Sequence, residues 1–305
     1  MPEIGLSSGR PQASSVAAQH LSVRNILVAT DFSECSTRAL SYALGIASRY
    51  ESWLHLFHCV DPTPYNLLEP GAVRTACDDV QRELERLASD LRHRGQAKNI
   101  EIKVVVESGD MAVILRQAVR NLDLDLIVVG THGRTGWRKL ALGSVAEIVV
   151  DQASCPVMSV GPFADRTRIQ EFGPENILLV CEDSAHSQPA QSYAVSISRK
   201  YGSRITMVDV LENRSGRVLA NLAQLQSCEG DWQANILDTT RTSPAQLPAE
   251  IGTESDLILQ VADQTAADLI VLAVPSGHRF THRFRSTSSY RVVCGAPCPV
   301  LTVHA

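Results

Sequence analysis

No stretch of this 305-residue chain stays apolar for the roughly 18 residues that a membrane-spanning helix needs. Basic charge is not in surplus either. Twenty-eight Lys and Arg against 33 Asp and Glu give a formal net charge of -5. That balance argues against the clustered positive footprint of a nucleic-acid-binding surface. The opening MPEIGLSSGRPQASSVAAQHLSV lacks the charged-then-apolar layout of a secretory leader and reads as a loose polar tail over residues 1–23. A cytoplasmic protein is expected. Eight cysteines include no CxxC pair and mostly sit inside apolar patterns, so buried free thiols are expected. The motifs GxxxxGK[ST], GxSxG and HExxH are missing, as are SGGxDS and HxGH loops. No base, nucleophile and orienting group assemble from what remains, so no catalytic residue is assigned. What is present is an ordinary globular balance of 44% hydrophobic and 20% charged residues, at a length suited to two domains.

The chain is one unit written twice. Asn25–Tyr50 aligns without a gap on Asn176–Tyr201, with 11 of 26 positions identical at an offset of 151. Asp125–Val160 aligns on Asp268–Val303, with 11 of 36 identical at an offset of 143. The second unit has therefore lost eight residues from its middle. Two domains follow, 24–162 and 175–305, joined by a Gly/Pro-bounded polar linker over 163–174.

Within the first unit short apolar runs alternate with longer periodic ones. Strands are expected at Ile26–Thr30, Trp53–Val60, Ile102–Val106, Leu126–Val129 and Pro156–Val160. Between the first two, Ser33 is placed to cap a helix running to Tyr50. Val73, Cys77, Val80, Leu84, Leu87 and Leu91 recur at helical spacing between charged residues. Met111–Asn121 and Gly143–Val150 complete the helices. The second unit is expected to follow the same order, its third strand near Gln246–Ile251. Such alternation implies an α/β fold of two tandem doubly wound, five-stranded parallel sheets, Rossmann-like, in strand order 3-2-1-4-5. That order sets a ligand crevice outside the carboxyl ends of strands one and four.

Asp31 follows the first strand, and Gly130 ends the fourth. The stretch GTHGRTGWRKLALGSVAE then carries Gly130, Gly133, Gly136 and Gly143 into a helix that starts at Ser144. Glycines permit positive φ and close backbone approach, and the free N–H groups of a helix start can hold a phosphate. A flexible strand-to-helix connection would look the same. Asp31, across the crevice, suits either ribose hydroxyls or a phosphate-bound Mg²⁺.

The spacing G-x2-G-x9-G-S (Gly130, Gly133, Gly143, Ser144), with an early VATDFS and a terminal CPVMSV, resembles the universal stress proteins of the UspA type. The resemblance covers both repeats. It implies a tandem member whose first unit binds ATP, with or without Mg²⁺, as a stress-signalling or regulatory module. Asp31 would meet ribose or metal. Ala29, Thr30 and Val60 would line the adenine pocket, and Gly130, Gly133, Gly143, Ser144 and Val145 would cradle the phosphates. The alternative is slow ATP hydrolysis or phosphoryl transfer using Asp31 and Mg²⁺.

The second unit departs at every glycine: Ala273, Ser276 and Ser286 stand for Gly130, Gly133 and Gly143, and Glu182 stands for Asp31. Thr287 keeps a hydroxyl at the place of Ser144. This unit reads as a degenerate structural partner. Its loop 278–285 (HRFTHRFR) is either an anion site or a solvated basic loop. The two units are expected to pair as an intramolecular pseudo-dimer through their last strands, Pro156–Val160 and Pro299–Val303. A further homodimer and an unidentified protein partner are compatible with this reading. His55 and His58 lie three apart on a strand, on opposite faces, and cannot share a metal. His132 either meets a phosphate or faces water, and Trp137 either packs on a partner or at an edge.

Overall fold

The computed structural model describes residues 22–65, 71–132, 142–164, 173–181, 187–212, 218–227, 232–235, 253–274 and 287–304. The tail before residue 22, most of the linker, Gln246–Ile251, Glu182, Gly133, Trp137 and the 278–285 loop lie outside these.

The first unit runs β1 (Asn25–Ala29), α1 (Glu34–Tyr50), β2 (Trp53–Val60), α2 (Ala72–His93), β3 (Ile102–Ser108), α3 (Met111–Asn121), β4 (Leu126–Gly130), α4 (Ser144–Gln152) and β5 (Val157–Val160). Its strands lie in the order β3-β2-β1-β4-β5, all parallel. The Ser33 side chain accepts from the Ser36 N–H and starts α1, as the sequence suggests. Asp110 does the same for α3 through Val113. On α2 the apolar stripe buries Leu84, Ala88 and Leu91, while its charged residues face outward.

The second unit runs β6 (Asn176–Cys181), α5 (Gln188–Tyr201), β7 (Arg204–Glu212), β8 (Val218–Ser227), β9 (Trp232–Asn235), α6 (Glu254–Gln264), β10 (Leu269–Val274), α7 (Ser288–Gly295) and β11 (Val300–His304). Strands β11, β10, β6 and β7 reproduce the parallel order of their counterparts. Beyond β7 the expected repetition stops. Strand β8 pairs antiparallel with β7, and β9 antiparallel with β8, where the first unit places β3. Composition gives the reason. A crossover helix needs a solvated face, and α2 carries nine charged residues in 22, whereas Val218–Ser227 carries none. An uncharged segment of that length is better covered by pairing with a strand edge.

The two units share one sheet. Strands β5 and β11 pair antiparallel, with Met158 opposite Leu301, Ser159 opposite Val300 and Val157 opposite Thr302. Met158 and Leu301 are repeat counterparts, so a pseudo-two-fold axis passes between them. Among the described residues the sheet has 11 strands, with β3 and β9 at its edges. One face packs α3, α4, α6 and α7 over Leu27, Ile127, Val157, Ile270 and Val300. The other packs α1, α2 and α5 over Ile26, Val28, Met158, Leu179 and Leu301. Alternate residues of each strand feed opposite cores, and each core runs unbroken through both units.

On the α1/α5 face the seam is reciprocal. Tyr50 and Tyr201 meet at 6.1 Å between ring centroids. Arg49 lies 5.7 Å from the Tyr201 ring, and Lys200 lies 5.0 Å from the Tyr50 ring. Each unit thus places a cation over the other's tyrosine. Among the described residues no helix is long and apolar enough to cross a membrane.

Candidate functional site

The order β3-β2-β1-β4-β5 puts the topological switch between β1 and β4, and a cleft of about 290 Å³ opens there beyond their carboxyl ends. Larger hollows lie elsewhere. One of about 970 Å³ runs between α1 and the end of α2, away from the strand ends. Another, of about 730 Å³, lies between the end of β2 and α2. Size does not single out the site; the convergence of strand ends and a helix start does.

Of the residues singled out in the sequence, Ala29, Thr30, Asp31, Gly130, Gly143, Ser144 and Val145 all line this cleft. Val60 does not; only 5% exposed, it borders the neighbouring 730 Å³ hollow. His132 is in the cleft wall. Burial lowers its pKa, so near neutral pH it is an uncharged donor and acceptor. Its Nδ1 lies 2.8 Å from Thr131 Oγ1. His58, Met111, Phe57 and Ser36, none of them expected there from the sequence, also line the cleft. Nothing in their local spacing marks them, because they come from three separate elements.

Each wall is set by short-range chemistry. Thr30 Oγ1 donates to Ser36 Oγ at 3.1 Å and accepts from the Phe32 N–H at 3.1 Å. The Asp31 carboxylate accepts from the Ser33 N–H at 3.0 Å, an Asx turn that holds it at the mouth of the cleft. Phe32, inside that turn, adopts φ 63, a strained conformation for a bulky residue. Its ring lies 5.9 Å from that of His58. His58 Nδ1 is 2.7 Å from the Thr30 carbonyl, which only accepts, so Nδ1 carries the proton. Ser33 Oγ donates to the His132 carbonyl at 3.3 Å, joining the start of α1 to the glycine loop.

The glycines act differently from one another. Neither Gly130 nor Gly143 has a positive φ. A Cβ on Gly130 would lie 2.6 Å from the Cys35 carbonyl carbon and 2.7 Å from the Ser36 nitrogen. Gly130 is small because α1 crosses β4 there. Gly143 is the N-cap of α4 at φ -63 and ψ 149, and it supplies no side-chain cap. By contrast, Ser33, Asp110, Thr253 and Thr287 each cap their helices with a side-chain oxygen. The start of α4 is thus left uncapped by its own N-cap residue, at the cleft. The ends of its loop are held: the Thr131 N–H donates to the Val160 carbonyl at 3.0 Å, and the Gly143 N–H to the Thr131 carbonyl at 2.7 Å.

The corresponding helix of the second unit starts one residue later in the repeat, and its N-cap, Thr287, the counterpart of Ser144, accepts from the Tyr290 N–H at 3.2 Å and so fills the helix start with its own hydroxyl. Among the described residues no three His, Cys, Asp or Glu side chains gather to hold a metal. Cys35 and Cys59 near the cleft have thiol pKa values raised by burial, Cys59 to about 11, which leaves them protonated and unreactive.

The universal stress protein family model matches residues 22–161 and 174–304. A universal stress protein of Methanocaldococcus jannaschii is 28% identical over 138 residues, covering 45% of this chain and 81% of the relative. One from Synechocystis is 26% identical over 147 residues, covering 44% of this chain and 96% of the relative. A solved universal stress protein from Archaeoglobus fulgidus superposes with a TM-score of 0.65 at 19% identity, covering 92% of this chain and 98% of that one.

Proposed function

The chain belongs to the universal stress protein family, and from that premise we propose that its first unit is an adenine-nucleotide-binding module with ATP as the ligand. The observation that carries this is the start of α4, whose N-cap residue, Gly143, offers no side chain and which faces Thr30 and Asp31 across the switch-point cleft. Exposed helix N–H groups with a partial positive charge suit phosphate. Ser144 and Val145 are the first residues of that helix, and Asp31, which lines the same cleft, suits ribose or a phosphate-bound Mg²⁺. Ala29, Phe57 and Met111 give the cleft its apolar part, suited to a base.

The module spans 24–162, and the 175–305 unit, joined through 163–174, is its degenerate partner that binds no ATP. Binding rather than turnover is the proposed activity, in a cytoplasmic protein whose nucleotide state a protein partner reads.

Titration calorimetry of the whole protein with ATP tests this, and one site per chain is expected. Two equivalent sites, or none, would overturn the reading. Asp31→Ala separates the carboxylate's roles: a loss seen only with Mg²⁺ present assigns it to the metal, and an equal loss without Mg²⁺ assigns it to the ribose. Phosphate release from ATP that disappears in Asp31→Asn would make the protein a slow hydrolase instead.

A further inference from the structure

Leu142 immediately precedes Gly143 and is 6% exposed. Its N–H donates to Tyr290 Oη at 3.0 Å, across 148 residues of sequence. Tyr290 belongs to the first turn of α7, in the second unit, and is 8% exposed. A phenol oxygen carries lone pairs that can accept this N–H. Leu142, Ala146 and Tyr290 lie in one core. Two successive N–H groups at the end of the glycine loop are therefore held: Leu142 by the second unit, and Gly143 by Thr131 of the first. The next N–H groups along the chain are those at the start of α4.

The repeat shows that this tyrosine is not required by the fold of the unit. Its counterpart in the first unit is Glu147, half-buried on α4. The same place on the duplicated helix is served by a carboxylate there and by a phenol here. A phenol adds what a buried seam requires, a neutral acceptor with a ring that packs.

We propose that Tyr290 is a positioning residue for the nucleotide site of the first unit, its hydroxyl fixing the Leu142–Gly143 peptide from which α4 begins. This rests on the nucleotide reading above. The unit that lost its own glycines thereby serves its twin's site. By linkage, a nucleotide that orders the loop end tightens the tie to α7 equally.

The test is Tyr290→Phe in the full chain, which keeps the ring and removes only the hydroxyl. ATP affinity is read by calorimetry, and exchange of the Leu142 amide in the ligand-free protein by hydrogen–deuterium exchange. The expected result is ATP binding weakened about three- to tenfold and Leu142 exchange faster by a similar factor, the scale of one net hydrogen bond, with the thermal midpoint lowered by only a few degrees. A merely structural tyrosine would spread faster exchange over α7 and leave ATP affinity unchanged. Wild-type affinity in Tyr290→Phe overturns the proposal, as does weakened binding without faster exchange at Leu142. Absence of ATP binding by the wild-type protein overturns the nucleotide reading and this role with it. The Leu142 exchange of the variant then still shows whether the contact exists, which separates the two failures.

Discussion

Gly130 answers to more than the cleft it lines. The sequence marks it as a cleft residue, and it lines the cleft. Its size, however, is set by the backbone of α1, which a Cβ would approach to 2.6 Å. Gly130→Ala should cost about 1–3 kcal/mol in urea denaturation, the range for overpacking a rigid neighbour; a variant as stable as wild type would show that α1 yields. Other cleft residues were invisible because no local pattern carries them. His58 and Met111 reach the site only through sheet order, and Tyr290 acts on it from the other repeat. Three histidines, one buried and two half-buried, make a separate prediction. His55, His132 and His304 all have pKa values lowered, in each case chiefly by burial, with Lys103 adding to the effect at His55. A folded-state pKa below the unfolded value means that the unfolded chain binds more protons once pH falls through about 6.5. Stability should hold above that pH and decline below it, so the urea midpoint at pH 5.5 should be lower than at pH 7.5. Equal midpoints would contradict the neutral burial of these rings.

Helix starts and strand starts carry much of the repeat's logic at the level of elements. Asp125, just before β4, accepts from the Arg24 and Asn25 N–H groups at 2.7 and 2.9 Å. Asp268, just before β10, accepts from Glu175 and Asn176 at 3.0 Å each. The identities that reveal the duplication, NIL and DLI, are the two sides of this tie, which is why both halves of each unit stayed recognisable. Where no such tie exists the repeat drifted, and β8–β9 replaced a crossover helix that the alignment alone would have predicted. The start of α4 yields the most discriminating substitution. Aspartate is among the best N-cap residues and glycine a weaker one. Gly143→Asp should therefore raise stability by a few tenths of a kcal/mol to about 1 kcal/mol. Its carboxylate would also take the N–H groups offered to phosphate and repel the phosphate charge, so ATP binding should fall by more than about tenfold. A protein that gains stability and keeps its affinity would show that the phosphate sits elsewhere.

Taken whole, the molecule is one sheet with two cores that ignore the boundary between repeats. The sequence pointed to the seam because β5 and β11 are short apolar strands that would otherwise end a sheet unpaired. It did not reveal how evenly the seam is shared by the two faces. Tyr50 and Tyr201 close it on one side, and Leu142 with Tyr290 on the other. The consequence is cooperative. Met158 is 2% and Leu301 2% exposed, and they face each other at the pseudo-two-fold axis. Removing either unit would bare β5 or β11 and open both cores at once. Repeats that fold as separate beads on a linker would melt in two steps; repeats that share cores should melt in one. Differential scanning calorimetry of the full chain should therefore show a single transition, with calorimetric and van't Hoff enthalpies in agreement. Met158→Lys places an unpaired charge at the axis, where burial without a partner is costly. It should lower the midpoint and split the transition in two, because the side chain can reach water only if the β5–β11 pairing opens. Two resolved transitions already present in the wild-type protein would mean that the cores are continuous in space but not in energy.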